Sequence, residues 1–206
     1  MTDYTRIQKA YVGFKADGHA DMLTDNMEVI NGGTNGVANT ATTVSYNEFS
    51  NGPLHQTVLT LTDFPVTVAN TTGASFGSAK LYDFIAGRIA IAGVTASLGF
   101  NWAATTIAAT GSGDWSLGTT ATTDATLSST DVDLCPSTAM TDPAVAGVAA
   151  ATGGALAATA QFDGTSTAKD AYLNIIIDDA DVADAASDIV LVTGTVRITW
   201  IDLGDY

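Results

Sequence analysis

Cysteine is nearly missing from this chain. Cys135 stands alone among 206 residues, so no intrachain disulfide can form. A nucleophilic thiol would need a basic partner, yet both histidines, His19 and His55, lie far upstream. The expected role of Cys135 is that of a small buried residue. Glutamate is almost as scarce: Glu28 and Glu48 stand alone, and every other acid is aspartate. Aspartate favours turns and loops where glutamate favours helices, so the acid choice itself points to a loop-rich β protein. Charge is sparse at 14% of residues, against about 25% in ordinary domains. Basic residues number seven, and the net charge is −15. That field repels phosphate backbones, so nucleic acid is not an expected partner of the body. No uninterrupted apolar run is long enough for a membrane span: the apolar stretches contain Arg88 and Asn101, or consist of Ala, Gly and Thr as at 144–160. Residues 1–4 begin no apolar signal region, so synthesis in a host cytoplasm is expected, with any exterior location needing lysis or another route.

What is present is alternation. Segments 43–49, 56–62, 66–68, 80–84, 114–117, 119–127, 158–162 and 171–177 read as short strands, punctuated by Gly, Asn, Asp and Pro. Pro65 predicts a strand start, an edge or a bulge. Segment 88–100 carries small or apolar residues on both faces, which predicts a central strand buried on both sides. The last strand, 189–201, is the clearest. Val190, Val192, Val196, Ile198 and Trp200 alternate with mostly polar residues, and Gly194 between them predicts a bulge or a close backbone approach. Segment 144–160 reads as a short helix or a surface loop. The expected fold is all-β: a jelly-roll-like antiparallel β-sandwich over 37–206, preceded by an N-terminal arm and linker over 1–36.

Within the first sixteen residues, Arg6, Lys9 and Lys15 meet a single acid, Asp3. Tyr4, Ile7, Tyr11 and Phe14 fit a short helix folded on the body, and equally an extended arm docked on a partner. The candidate contact residues are Tyr4, Arg6, Lys9, Tyr11, Phe14 and Lys15. The run 31–39 reads as loop chemistry linking arm to body.

Catalytic motifs fail on context. Residues 73–77 match G-x-S-x-G, but that nucleophile needs a strand-to-helix turn and a later histidine, and no histidine follows Ser75. A glycine-rich loop is expected there. Asp178, Asp179 and Asp181, with Asp184 and Asp188, could offer carboxylates to a hard cation such as Ca²⁺. Their spacing is not that of an EF-hand, so a solvated acidic loop is the expectation. No zinc, P-loop or dinucleotide motif appears, and no cofactor is expected. Trp102, Trp115 and Trp200 could form sugar platforms, although the stripe around Trp200 assigns it to a core.

Three segments carry a family resemblance: HQTVLTLTDFPVTVANTTGASFGSAKLYDF at 55–84, GDWSLGTTATTDATL at 113–127 and GTVRITWIDLGDY at 194–206. They resemble virion proteins of tailed bacteriophages, of the capsid decoration or cement class. The resemblance covers about a third of the chain and implies a β-rich homotrimer on a phage head, with the major capsid protein as partner. It implies a non-enzymatic protein and transfers no functional residues. The sequence leaves two other readings open: a major shell protein, and a carbohydrate-active or sugar-binding jelly roll of a tail component or enzyme.

Overall fold

The computed structural model describes residues 36–39, 42–70, 75–102, 107, 112–140, 147–152, 161–178 and 187–204. Among these residues eleven strands run in order: β1 Val37–Ala38, β2 Val44–Asn51, β3 Leu54–Asn70, β4 Ser75–Asp83, β5 Gly87–Trp102, β6 Gly113–Gly118, β7 Cys135–Met140, β8 Gly147–Thr152, β9 Gln161–Gly164, β10 Asp170–Ile177 and β11 Ser187–Gly204. All pairings are antiparallel. The main path is β7-β6-β10-β4-β3-β11-β5-β8, with β1 on β4, β2 on β3 and β9 on β5.

Strands β3 and β4 pair only at Ala69–Phe76 and Asn70–Ser75, then part. The path folds there into two layers, and its opposite ends, β7 and β8, come to lie side by side. Between the layers sits one continuous apolar core, which includes Leu59, Val66, Leu98, Leu173, Ile175, Val192 and Ile198. Phe100 of β5 meets Trp115 of β6 across it, ring centroids 6.0 Å apart. The fold is therefore the antiparallel, jelly-roll-like β-sandwich expected from the alternation.

Long strands stay on this core only because bulges reset their parity. On β3, His55, Thr57, Leu59 and Leu61 face inward, and then Phe64, Val66 and Val68 do. The switch from odd to even occurs where Thr62 and Asp63 together oppose Thr193. Asp63 takes φ 49° there, a left-handed conformation that aspartate tolerates better than most residues. Its N–H donates to Thr193 Oγ1 at 3.1 Å. On β5, Ile89 and Ile91 face inward, and then Val94, Ala96, Leu98, Phe100 and Trp102 do. Here Ala92 is the extra residue, because Thr199 pairs with Gly93 and Trp200 with Ile91. This corrects the expectation of a strand buried on both faces: each half of β5 buries one face, and the bulge changes which.

Three further expectations are corrected. Segment 147–152 is strand β8, not helix or loop. Segment 119–127 is irregular, because aspartate and threonine side chains take up its backbone groups. Residues 75–79 belong to β4, not to a glycine-rich loop. The run 31–39 enters the description at Gly36, which is buried, and Val37–Ala38 pair with Asp83 and Tyr82, so its last residues are docked on β4. The arm residues Tyr4, Arg6, Lys9, Tyr11, Phe14 and Lys15 lie outside the described residues, as do Asp179, Asp181 and Asp184.

Candidate functional site

The chemistry-bearing residues singled out in the sequence lie mostly in the core. Ser75 is fully buried at the start of β4. Cys135 is buried on β7, and burial pushes its thiol up to about 12, so it is inert at neutral pH. Trp102, Trp115 and Trp200 are all buried, so none offers a platform to a sugar. Asp178 is exposed and accepts the Ser112 hydroxyl at 2.5 Å. Among the described residues, no three His, Cys, Asp or Glu side chains group as metal ligands would.

A buried polar cluster escaped the sequence reading. The β2–β3 hairpin sets Glu48 opposite Thr57 and Ser50 opposite His55. Glu48 Oε1 lies 2.9 Å from His55 Nδ1, and Glu48 Oε2 accepts the Tyr82 hydroxyl at 2.5 Å. Burial first, and then the hydrogen bond to Glu48, push the Tyr82 phenol far above its usual range. The His55 ring stacks on Trp200 at 3.9 Å, and the Trp200 indole N–H donates to Thr57 Oγ1 at 3.0 Å. Glu48, His55, Tyr82 and Trp200 thus tie β2, β3, β4 and β11 together. The cluster has no opening to solvent wide enough for a substrate: His55, Tyr82 and Trp200 are fully buried, and Glu48 is 5% exposed. It fixes the hairpin against the core.

A second node holds the irregular segment. Asn174 on β10 accepts from Ser78 Oγ (2.7 Å) and Thr122 N (3.0 Å), and donates to the carbonyls of Thr120 and Asp131 (3.0 Å each). Those four bonds use its full amide capacity. Asp133 secures the same segment by accepting from Thr119 N at 2.7 Å and Thr119 Oγ1 at 2.6 Å. Asn174→Ala should therefore cost about 2–4 kcal/mol, since buried carbonyls and an amide lose their partner. Urea unfolding measures that loss, and an Asp-specific protease should then cut at Asp124 or Asp131 well before global unfolding.

The third feature is at the surface. Asp83 and Asp170 are direct partners across the β4–β10 ladder. Lys80 Nζ reaches Asp83 at 2.5 Å and Asp170 at 3.7 Å, and Tyr172 donates to Asp170 at 3.0 Å. Burial raises the Asp170 carboxyl, and its hydrogen bond with Asp83 raises it further. Burial acts the same way on Asp83, but hydrogen bonds from Asp170 and Lys80 outweigh it and hold that carboxyl below its usual range. A polar depression of about 360 Å³, lined by Thr119, Thr120, Lys169, Asp170 and Tyr172, lies beside them. Among the described residues the exposed faces elsewhere are mainly Thr, Ser and Asn, with Tyr46, Leu54 and Ile189 as the large apolar exceptions.

A comparison with protein-family models found no match, and neither did a comparison with curated proteins. Among solved structures, one chain in a structure of the infectious bursal disease virus Gt strain matches at a TM-score of 0.37 and 12% identity. The match covers 74% of this chain and 33% of that one, so it spans about a third of that chain's length.

Proposed function

We propose that this chain is a structural component of a virion, of the capsid decoration or cement kind. In this reading its sandwich sits on the phage head as a homotrimer, and residues 1–16 grip the major capsid protein. One observation carries the proposal: Ser75, Cys135, His55 and the three tryptophans are sealed into the core, where they brace the sandwich. The outward faces are weakly charged threonine- and serine-rich strands, suited to a particle surface. The resemblance of 55–84, 113–127 and 194–206 to virion proteins of tailed bacteriophages supports the same reading.

The arm is the proposed anchor. Residues 1–16 hold three basic groups and one acid, whereas the whole chain carries −15. Its aromatic residues are of the type that dominates interface energetics. Full-length protein should co-sediment with phage heads stripped of decoration, and light scattering should give the mass of a trimer. Deleting residues 1–16 should leave a folded oligomer whose head binding falls ~100-fold or more, the loss expected of several anchor residues. Salt should weaken attachment in part, by screening the charged contribution. Failure of the full chain to bind heads would remove the decoration reading. Equal binding by the truncated chain would remove the arm from it.

A further inference from the structure

Asp83 closes β4 and Asp170 opens β10, and the two are direct Cα partners. Side chains so placed on an antiparallel ladder stand ~4.5–5.5 Å apart at Cβ. Leu81 is the extra residue of a bulge beside them, because Tyr82 pairs with Ala171 and Lys80 with Tyr172. The bulge brings Lys80 to the face that Asp83 occupies, and Tyr172 has the parity of Asp170. Two carboxyls, one ammonium and one phenol thus share a patch.

The ammonium is placed unequally. Lys80 Nζ lies 2.5 Å from Asp83 but 3.7 Å from Asp170, beyond the ~3.2 Å reach of a hydrogen bond. Asp170 is held instead by the Tyr172 hydroxyl at 3.0 Å and by its bond with Asp83. An ionised carboxylate only accepts, so a bond between two carboxyls requires a proton on one of them. Lys80 assigns the negative charge to Asp83. The proton falls to Asp170, whose side chain is 25% exposed against 41% for Asp83. The patch is then neutral. With both carboxyls ionised, like charges face each other directly across the ladder, which is unfavourable.

The pair sits at a junction. Next to it the Phe84 N–H donates to the Lys169 carbonyl at 2.9 Å, tying residues 165–169 to the end of β4. Thr167, Ala168 and Lys169 form one wall of the polar depression. Lys169 is the other charge close by among the described residues, and its ammonium acts on Asp133 and Asp163. Val37 and Ala38 of β1, and Thr119, Thr120 and Ala121 across the depression, carry none.

We infer that Asp83 and Asp170 share one proton, carried on Asp170, and form a pH-sensitive latch that holds residues 165–169 against β4 and releases them as the pH rises. On release the proton passes to solvent and leaves two carboxylates beside one ammonium. The titrations agree in sign. Burial, and then the bond with Asp83, raise the Asp170 carboxyl, so its contribution is lost as pH rises through that raised value. Burial pushes Asp83 the same way, but the bonds from Asp170 and Lys80 hold it low, so its contribution is lost only as pH falls through that lower value. The latch is closed between the two, in mild acid.

NMR on the full chain tests it. The side-chain carboxyl carbon of Asp170 should titrate above the ordinary aspartate range, and that of Asp83 below it. Protection of the Phe84 amide from hydrogen exchange, corrected for the intrinsic effect of pH, should fall ~5-fold from pH 5 to pH 8, the scale of one cross-strand charge pair. Asp170→Asn puts an amide donor where the protonated carboxyl stands, and its Phe84 protection should stay level over that range. Should this variant fail to fold, the two titrations in the parent decide alone. Two carboxyls that both titrate within or below the ordinary range would show Lys80 bridging two carboxylates, and the latch is overturned. A Phe84 protection with the same pH dependence in parent and variant overturns it equally.

Discussion

Glu48→Ala is expected to lower stability by about 3–5 kcal/mol, the cost of breaking a buried ionisable pair from one side. The carboxylate receives the Tyr82 hydroxyl and sits 2.9 Å from His55 Nδ1. Removing it strands two polar groups in a dry setting, one of them pressed against Trp200. His55 Nε2 and Ser50 Oγ have no partner among the described residues, so the neighbourhood has little spare hydrogen-bonding capacity to relieve the loss. For a domain of this length the melting temperature should fall by about 10 °C. Glu48→Gln keeps an acceptor for Tyr82 and should lose much less. Thermal and urea unfolding of the two variants decide the matter. An alanine variant within 1 kcal/mol of the parent would mean that the cluster is not a brace.

Gly194→Ala is expected to cost about 3–6 kcal/mol, combining backbone strain with steric overlap. Gly194 has φ +146°, a conformation that L side chains rarely adopt. A Cβ there would lie 2.1 Å from the Ser97 carbonyl oxygen of β5. The clash is with backbone in the middle of the β3–β11–β5 ladder, so no side-chain rotation relieves it. The expected readout is a large drop in urea midpoint, or failure to accumulate folded protein, while Thr195→Ala one residue away stays near the parent. A Gly194→Ala protein as stable as the parent would show that the ladder can shift its register there.

Part of this architecture is legible in the residues. The even-numbered stripe Val190, Val192, Val196, Ile198 and Trp200 is buried throughout, as its period of two requires. Gly194 makes the close backbone approach that its position suggests, while the bulge lies beside it on β3, where Thr62 and Asp63 oppose Thr193. Strand β5 is less transparent. Both of its faces carry small or apolar residues, and only the Ala92 bulge reveals that the chain uses them in turn. The alanine-rich stretch at 147–152 became a strand because β5 offers it an edge, and alanine has too little side chain to signal that choice beforehand.

The candidate site divides along the same line. Cys135 and Ser75 could be assigned to structure from the sequence because each lacks the partners its chemistry needs, and Trp200 because it closes an apolar stripe. Their cluster neighbours could not. Glu48 and His55 are seven residues apart, but Tyr82 and Trp200 come from strands far along the chain. Asn174 likewise gathers Ser78, Thr120, Thr122 and Asp131 over separations of 43 to 96 residues. The sequence by itself determined the fold class, the acidic and weakly charged surface and the absence of a disulfide, because composition and a period of two act locally. Only the tertiary structure decided which buried polar groups meet and which residues of β3 and β5 turn inward. Both depend on strand order and on bulges, which are set by contacts between residues far apart in the chain.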